Sequence, residues 1–165
     1  MVVVMGVSAS GKSMVGTLLA QRLGVPFLEG DDLHPAANRA KMASGHPLDE
    51  ADRRPWLEAL TAWIRTAAGE RGGVVSCSAL RRAYRDQFRR TGANVQFLHL
   101  ALDPDVAAER IARRKGHFMP PKLLNSQFET LEPLQADEPG LTVDASRSTA
   151  EILESALRRL TRPDS

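Results

Sequence analysis

Short apolar runs alternate along the chain with longer stretches in which apolar residues recur at helical spacing. The strongest runs are Val2–Met5, 74–77 and 95–102, with shorter ones at 26–29 and 141–143. Runs of this length between turn residues are typical of strands buried in a sheet. Because strands that alternate with helices need crossover connections, the pattern predicts an α/β fold with a parallel sheet of five strands.

The intervals between these runs carry helical patterns. After the first strand, apolar residues including Val15 and Leu19 recur on one helix face. Asp49 has the character of an N-cap, and the amphipathic stretch behind it ends before Gly72. The predicted helices cover residues 13–23, 35–44, 50–71, 81–90, 104–114 and 149–160. Residues 115–121 show no clear periodicity, so no element is predicted there.

Residues 6–13 read Gly-Val-Ser-Ala-Ser-Gly-Lys-Ser, the G-x-x-x-x-G-K-S pattern of phosphate-binding loops. A predicted strand precedes the pattern and a predicted helix follows it, which is the context that such a loop requires. Glycines let successive backbone N–H groups face one phosphate, and the helix N-terminus adds its positive end. A Gly/Ser-rich turn with a chance lysine is the alternative, and the flanking elements argue against it.

Each position of this loop has an expected role. The residues expected to hold a nucleotide are Gly6, Val7, Ser8, Ala9, Ser10, Gly11, Lys12 and Ser13. We expect Lys12 to reach the β- and γ-phosphates and the Ser13 hydroxyl to ligate Mg²⁺. Lys12 is therefore expected to be a catalytic group as well as a binding one.

Length and charge narrow the classes of protein to which the chain can belong. Its 165 residues suit one domain spanning 1–165. The 22 basic residues nearly balance 20 acidic ones, which argues against a nucleic-acid-binding protein. No apolar stretch approaches the roughly 20 residues of a membrane span. A cleaved signal peptide would remove the phosphate loop, and Cys77 is the only cysteine, so we expect a cytoplasmic protein.

Polar side chains follow the second predicted strand, at the edge of a parallel sheet where ligands bind. They are Glu29, Asp31, Asp32 and His34. Carboxylates beside the phosphates could supply a catalytic base and orient Mg²⁺. A solvated acidic turn that caps the next helix is the alternative.

Arginine-rich helices follow the third and fourth predicted strands. Arg81 and Arg85 share one helix face at i,i+4 spacing, which suits recognition of a carboxylate or phosphate. A solvated basic face explains them equally well. Arg110 and Arg114 end the later helix, just before the segment without periodicity. Cations in a last helical turn are favourable by themselves, but a basic segment that faces a triphosphate is also what a closing lid requires.

Several blocks of sequence, taken in order, match one family of enzymes. Gly-Asp-Asp-Leu-His-Pro at 30–35 is followed by Asn38, Lys41-Met42 and Asp52-Arg53 with Pro55-Trp56-Leu57. The later blocks are Cys77-Ser78-Ala79-Leu80, Tyr84-Arg85-Asp86, Arg114-Lys115-Gly116-His117-Phe118 and Gln127-Phe128-Glu129-Thr130-Leu131-Glu132-Pro133. Together with the phosphate loop they cover nearly the whole chain. The chain closely resembles the gluconokinases, a shikimate-kinase-like branch of the P-loop kinases.

The resemblance implies ATP-dependent phosphorylation of D-gluconate at its 6-hydroxyl, with Mg²⁺ as the cofactor. It also implies the three-layer α/β/α fold of P-loop NTPases, a mobile lid at about 115–135 and a homodimer. Asp31 would contact the substrate hydroxyl, and Arg110 and Arg114 would bind ATP, with Arg114 also acting in catalysis. The remaining residues on the substrate side would be His34, Lys41, Arg53, Arg81, Arg85 and His117.

Glu29 departs from the family pattern, which usually has aspartate at this position. Glutamate keeps the charge and adds one methylene to the side chain. Three carboxylates therefore remain candidates for orienting the Mg²⁺ shell: Glu29 through a water molecule, Asp31 and Asp32. The reaction class does not depend on which of them does so.

Two other functions are compatible with the phosphate loop. A sister kinase of the same fold would phosphorylate shikimate or another polyol acid. A nucleotide-dependent switch would bind GTP, but the chain contains no Asn-Lys-x-Asp segment that would recognise guanine.

Overall fold

The computed structural model describes residues 1–113 and 121–160. Its strands are β1 (Val2–Met5), β2 (Phe27–Glu29), β3 (Val74–Ser76), β4 (Gln96–Ala101) and β5 (Gly140–Asp144). They form one sheet in the order β2-β3-β1-β4-β5. Every neighbouring pair is parallel, so the predicted five-stranded parallel sheet is confirmed.

Helices connect the strands in the described part of the chain. They are α1 (Lys12–Leu23), α2 (Ala36–Ala43), α3 (Glu50–Ala68), α4 (Arg82–Arg89), α5 (Pro104–Arg113), α6 (Pro121–Thr130) and α7 (Thr149–Leu160). A 3₁₀ turn, Gly30–Leu33, directly follows β2. None of the helices in residues 1–113 and 121–160 is long and apolar enough to span a bilayer.

The sheet is covered on both faces because side chains alternate along its central strand. Val3 of β1 points to one face, where it packs in a cluster with Leu60 and other residues of α3 and α4. Val4 points to the other face, where it packs with Leu19 and other residues of α1 and α7. All four side chains are fully buried. This arrangement is the three-layer α/β/α fold that the sequence analysis expected.

A capping box sets the start of α3. The Asp49 carboxylate accepts the Asp52 N–H at 2.8 Å, and the Asp52 carboxylate accepts the Asp49 N–H at 3.0 Å. The two bonds satisfy donors that the first helical turn leaves open. The predicted N-cap at Asp49 is confirmed, and it fixes where Arg53 and Trp56 emerge in the next turn.

Helix α6 was not expected from the sequence. Its apolar signal is short, because Leu123 and Leu124 are the buried residues of its ten. Proline at the first helical position, Pro121, suits a helix start but also suits a loop. Tertiary contacts rather than periodicity therefore define this element.

Arg85 of α4 requires a correction, because the sequence analysis expected it to contact the substrate and the structure buries it completely. Its Nε donates to Oε1 of Glu138 at 2.7 Å, and its Nη2 donates to Oε2 at 3.0 Å. Its Nη1 donates to the Ala79 carbonyl at 2.9 Å, and Nη2 also reaches the Pro133 carbonyl at 3.3 Å. All three guanidinium nitrogens are engaged inside the protein, where Arg85 ties the segment after β3 to the segment before β5.

Cys77 directly follows β3 and is fully buried. Burial, and then the nearby charge on Asp31, raises the pKa of its thiol to about 12. The thiol therefore stays protonated, and Cys77 packs as a small apolar residue.

Replacing Arg85 with methionine should destabilise the protein strongly. Methionine keeps much of the side-chain volume but leaves the Glu138 carboxylate buried without its partner, a loss of about 3–5 kcal/mol. Urea denaturation would measure this loss in the free energy of unfolding. Arg158→Met is the matched control, because Arg158 and Glu154 form an exposed pair on α7, and its effect should stay within about 0.5 kcal/mol. Equal effects of the two substitutions would contradict the structural role given to Arg85.

Candidate active site

The phosphate loop joins β1 to α1 and is held in a curled form by its own hydrogen bonds. The Val7 carbonyl accepts from the Ser10 hydroxyl at 2.7 Å and from the Lys12 ammonium at 2.9 Å. Gly6 has a φ of 151°, and a Cβ there would lie 2.8 Å from the Leu100 carbonyl oxygen. A larger residue would therefore push the loop off the end of the sheet.

Two further loop residues have left-handed backbone conformations. Gly11 has a φ of 91° and caps α1, and Ala9 has a φ of 69°. This conformation is costly for a residue with a Cβ, and such strain collects at ligand sites. Loops that combine these conformations with a helix N-terminus form concave sites for anions.

Glu29, at the end of β2, connects the phosphate loop to β3. The Ser13 hydroxyl donates to Oε2 of Glu29, and the Ser76 hydroxyl donates to Oε1 at 2.7 Å. Hydroxyl and carboxylate oxygens are the ligands that Mg²⁺ prefers, and Mg²⁺ needs few of them where phosphates complete its shell. Residues 1–113 and 121–160 contain no group of three or more His, Cys, Asp or Glu that could hold a metal alone. Ser13 and Glu29 thus fit a magnesium ion that is bound together with phosphates.

The end of β2 approaches β3 so closely that only glycine fits at position 30. A Cβ on Gly30 would lie 2.3 Å from the Ser76 carbonyl oxygen. On the other side, the indole Nε1 of Trp56 donates to the Gly30 carbonyl at 2.8 Å. These contacts fix the start of the 3₁₀ turn and, with it, the position of Asp31.

Asp31 and Lys12 line two neighbouring cavities. The phosphate-loop cavity, of about 820 Å³, also includes Ser13 and Glu29. The acceptor cavity, of about 360 Å³, lies between the turn after β2, α2, α3 and α6. A group in one cavity can therefore meet a group in the other beside Lys12 and Asp31.

The acceptor cavity is lined by charged side chains of both signs and by apolar side chains. Its charged residues, within the described part of the chain, are Lys12, Asp31, Asp32, Arg39 and Arg53. Its apolar residues include Met42, Leu48, Trp56 and Leu123. Cations suit a carboxylate, and carboxylates suit hydroxyl donors. The cavity is therefore suited to a small anion that carries several hydroxyl groups.

His34 forms part of the wall of the acceptor cavity. Its ring stacks on Trp56, with ring centroids 4.4 Å apart and an angle of 10° between the planes. Its Nδ1 lies 3.2 Å from Nδ2 of Asn38. Burial lowers the pKa of His34 to about 4, and the positive charges of Arg39 and Arg53 act in the same direction. The imidazole is therefore neutral near pH 7.

Arg53 is held at the cavity by a short network. Its Nη1 donates to the Tyr84 hydroxyl at 3.1 Å and lies 3.6 Å from Oε1 of Glu50. Tyr84 in turn donates to Glu50 at 2.8 Å. Arg81 pairs with the same carboxylate at 3.1 Å, but its side chain is 43% exposed and does not line the cavity.

The structure brings together only some of the predicted substrate-side residues. Asp31, His34 and Arg53 share the acceptor cavity. Lys41 lies outside it and pairs with Asp52 at 2.6 Å. Arg81 and Arg85 also lie outside it, as described above. His117 and the predicted ATP contact Arg114 fall outside the described residues.

Arg110 lies beside the phosphate loop and does not line the acceptor cavity. Its Nη1 donates to the Ala9 carbonyl at 3.1 Å, and its Nη2 donates to the Ala145 carbonyl at 2.8 Å. It also lines a cavity of about 380 Å³ with Met14 and Arg147. This cavity adjoins the phosphate loop. It therefore has the position that the rest of a nucleotide would occupy if its phosphates lay in the loop.

Gln127 and Arg39 are among the residues of the acceptor cavity that the sequence analysis did not identify as site residues. Gln127 of α6 accepts the Ser8 N–H at 2.7 Å and lines the acceptor cavity. The block 127–133 was the signal that could have identified it. Arg39 has no such signal, because a single arginine in a short polar helix resembles a solvated surface residue.

The chain is similar to known proteins over nearly its whole length. A family model described as "AAA domain" matches residues 1–134. The chain is 46% identical to a protein named gluconokinase from Gluconobacter oxydans (strain 621H), with 98% of this chain and 92% of that protein covered.

Solved structures extend the comparison to the fold. The crystal structure of a gluconokinase from Sinorhizobium meliloti 1021 is 46% identical, has a TM-score of 0.87 and covers 98% of this chain and 91% of that one. Shikimate kinase from Aquifex aeolicus is 17% identical, with a TM-score of 0.65 over 96% of this chain and 94% of that one. The second likeness shows the fold alone.

Proposed function

This chain belongs to the gluconokinase family, and from that premise we propose that it transfers the γ-phosphoryl group of ATP to the 6-hydroxyl of D-gluconate, giving 6-phospho-D-gluconate and ADP. The position of Asp31 is the observation that carries the proposal, because Asp31 lines both the phosphate-loop cavity and the acceptor cavity. A carboxylate at that junction can bind the acceptor hydroxyl while the phosphoryl group lies on the other side.

The phosphate loop and Arg110 are the proposed nucleotide contacts. Backbone N–H groups of the loop and the N-terminus of α1 favour the phosphates, and Lys12 would counter the charge of the transferring group. Arg110 steadies the loop at Ala9 and borders the cavity proposed for the rest of the nucleotide. Arg114 is proposed to act on ATP and in catalysis from the lid side.

Ser13 and Glu29 would hold the magnesium ion, Ser13 directly and Glu29 through a water molecule. The ion would neutralise charge on the phosphates when bound. Glu29 is kept in place by the Ser76 hydroxyl, so its carboxylate has a defined position without the ion. The longer side chain of glutamate, compared with aspartate, reaches the Ser13 hydroxyl across the end of the sheet.

Gluconate is proposed to bind with its 6-hydroxyl at Asp31 and its carboxylate at Arg53. Arg53 is partly buried beside Tyr84, and arginine suits a carboxylate because its N–H groups form two parallel bonds. Arg39 adds a second positive charge to the same cavity. His34 is available for a hydroxyl of the sugar acid.

The transfer step follows from this arrangement. The 6-hydroxyl oxygen forms a bond to the γ-phosphorus as the bond between that phosphorus and the β,γ-bridging oxygen breaks. The hydroxyl proton passes to Asp31 late in the transfer, and ADP leaves with the bridging oxygen. Asp31 thus orients the acceptor first and receives its proton afterwards.

The segment at about 115–135 is proposed as a lid. Its described part includes α6, which lines the acceptor cavity with Leu123 and reaches the phosphate loop through Gln127. A closed lid would exclude water, which competes with gluconate as the acceptor.

We further propose, from the family resemblance, a cytoplasmic homodimer without a nucleic-acid partner. Light scattering would test the dimer.

A coupled assay with ATP, Mg²⁺ and gluconate tests the proposed reaction directly. Shikimate is the informative control acceptor because a shikimate kinase shares the fold. Turnover with gluconate and none with shikimate is the expected result. Turnover with shikimate alone would overturn the proposed acceptor but not the reaction class.

Lys12→Ala should lower kcat by at least about 100-fold, because a charge-stabilising donor at the transferring phosphoryl group is lost. Circular dichroism and a thermal melt would check that the fold is retained. A kcat near that of the unmodified protein would contradict the catalytic role proposed for Lys12.

Asp31→Asn should lower kcat by about 10²- to 10⁴-fold while changing the KM for gluconate by only a few fold, because an amide cannot accept the proton. Asp32→Asn is the neighbouring control and should have a much smaller effect. If Asp32→Asn lowers kcat far more than Asp31→Asn does, the proton acceptor has been assigned to the wrong carboxylate.

Arg53→Ala should raise the KM for gluconate by about 10- to 100-fold, as expected for a lost charged hydrogen bond. The KM for ATP should change little. Arg54→Ala is the matched control, because Arg54 is exposed on the same helix. An unchanged KM for gluconate in Arg53→Ala would place the gluconate carboxylate elsewhere.

A further inference from the structure

Asn38 of α2 lies beside His34 and is only 5% exposed. Its Nδ2 lies 2.7 Å from the main-chain carbonyl oxygen of Asp52 and 3.2 Å from Nδ1 of His34. The amide group thus contacts one atom that can only accept a hydrogen bond, and one ring nitrogen whose role depends on where the imidazole carries its proton.

The Asp52 carbonyl determines the orientation of the Asn38 carboxamide. Because a carbonyl oxygen cannot donate, the atom beside it must be the amide nitrogen. The flipped orientation would place two buried acceptors against each other and leave both unsatisfied. The nitrogen carries two hydrogens, so one is bonded to Asp52 and the other is left for His34.

An N–H that points at Nδ1 requires that Nδ1 accept. In a neutral imidazole the single proton then lies on Nε2. Burial supports the neutral form of His34, as described above. The charged groups in the surrounding walls, apart from the Lys41–Asp52 pair, are Lys12, Asp31, Asp32, Arg39 and Arg53.

The Nε2 edge of the ring is the part that is left for a ligand. One ring face lies on Trp56, and the Nδ1 edge lies on Asn38. In the part of the chain that the structure describes, His99 Nδ1 is the only enclosed side-chain polar atom without a partner. Nε2 of His34 is therefore not enclosed, and His34 lines the acceptor cavity.

We propose that Asn38 is a positioning residue that holds His34 as the Nε2–H tautomer, so that His34 presents one neutral hydrogen-bond donor to an oxygen of the acceptor. This proposal deepens the proposed function and rests on it for the identity of the acceptor. A neutral donor binds a hydroxyl oxygen without adding charge to the cavity, whereas Arg53 brings a positive charge. An acceptor that lacks an oxygen at this position would leave the N–H unpaired and lose affinity.

Long-range proton–nitrogen NMR of the histidine rings tests the tautomer directly in the full-length protein without substrate. We expect protonated Nε2 and unprotonated Nδ1 for His34 at about pH 7 to pH 8. A His34→Gln spectrum assigns the signal by its disappearance. A proton on Nδ1, or a doubly protonated ring, would overturn the proposal, whether or not any variant folds.

Asn38→Asp tests the consequence for binding. The carboxylate would favour a proton on Nδ1 and raise the pKa of His34. Near pH 6 the imidazolium would still present Nε2–H. As the pH rises toward about 8, the ring would lose the Nε2 proton, and the KM for gluconate would increase by about 3- to 10-fold. The unmodified protein should lack this titration, and an Asn38→Asp protein without it would contradict the positioning role.

Two further comparisons distinguish loss of the Nε2–H donor of His34 from a general change in packing or charge. Asn94→Asp makes the same charge change at an exposed site in the turn before β4, and should introduce no new pH dependence. In His34→Gln the amide nitrogen can take the place of Nε2, whereas the shorter side chain in His34→Asn cannot. We expect the KM for gluconate to be closer to that of the unmodified protein in His34→Gln, and equal losses in both would overturn the donor role.

Failure of this proposal can be distinguished from failure of the proposed function. The NMR measurement needs no acceptor, so it decides the tautomer even if gluconate is not phosphorylated. Conversely, gluconate turnover by a protein whose His34 carries its proton on Nδ1 would leave the proposed function intact and remove the role of Asn38.

Discussion

The site depends on the close approach of two backbones where β2 ends. Gly30 passes so near the Ser76 carbonyl that no side chain can be placed between them. This approach brings Glu29 within reach of two serine hydroxyls from different elements. It also places Asp31 where the phosphate-loop cavity and the acceptor cavity meet. One steric constraint thereby positions both the proposed metal-side carboxylate and the proposed proton acceptor.

The arginines near the site differ in how many of their guanidinium hydrogen bonds are made to groups of the protein itself. Arg85 directs every guanidinium nitrogen to groups inside the fold, and its buried pair with Glu138 joins two loops. Arg110 donates hydrogen bonds to two backbone carbonyls and thereby stabilises the phosphate loop. Within residues 1–113 and 121–160, Arg53 bonds through one nitrogen, to Tyr84 and Glu50, and lies in the cavity wall. A partly satisfied cation is the kind that a substrate carboxylate can complete.

Local chemistry made much of the fold predictable from sequence. The phosphate loop, the alternation of strands and helices and the cap at Asp49 all depend on residues that are close together in the sequence. The role of Arg85 could not be read in this way, because its partner Glu138 lies 53 residues away. Its i,i+4 relation to Arg81 indicated a shared helix face but not which way that face points.

The candidate site was predictable to a similar extent. Asp31, His34 and Arg53 were identified from the sequence blocks and share one cavity. Lys41 belongs to a matching block but is turned toward Asp52, since opposite charges on neighbouring helices pair when they are close. Helix α6 was missed because its apolar face is too short to give a period, and Gln127 was not identified as a site residue.

The burial of Cys77 has a practical consequence for site-specific labelling of the enzyme. It is the only cysteine in the chain, and its thiol is shielded and protonated, so it reacts slowly with thiol reagents. A single cysteine introduced on the exposed side of α6, for example at Asn125, would therefore be the one labelled position. A fluorophore or spin label placed there would report whether α6 moves relative to the sheet, without removal of any native residue from the core.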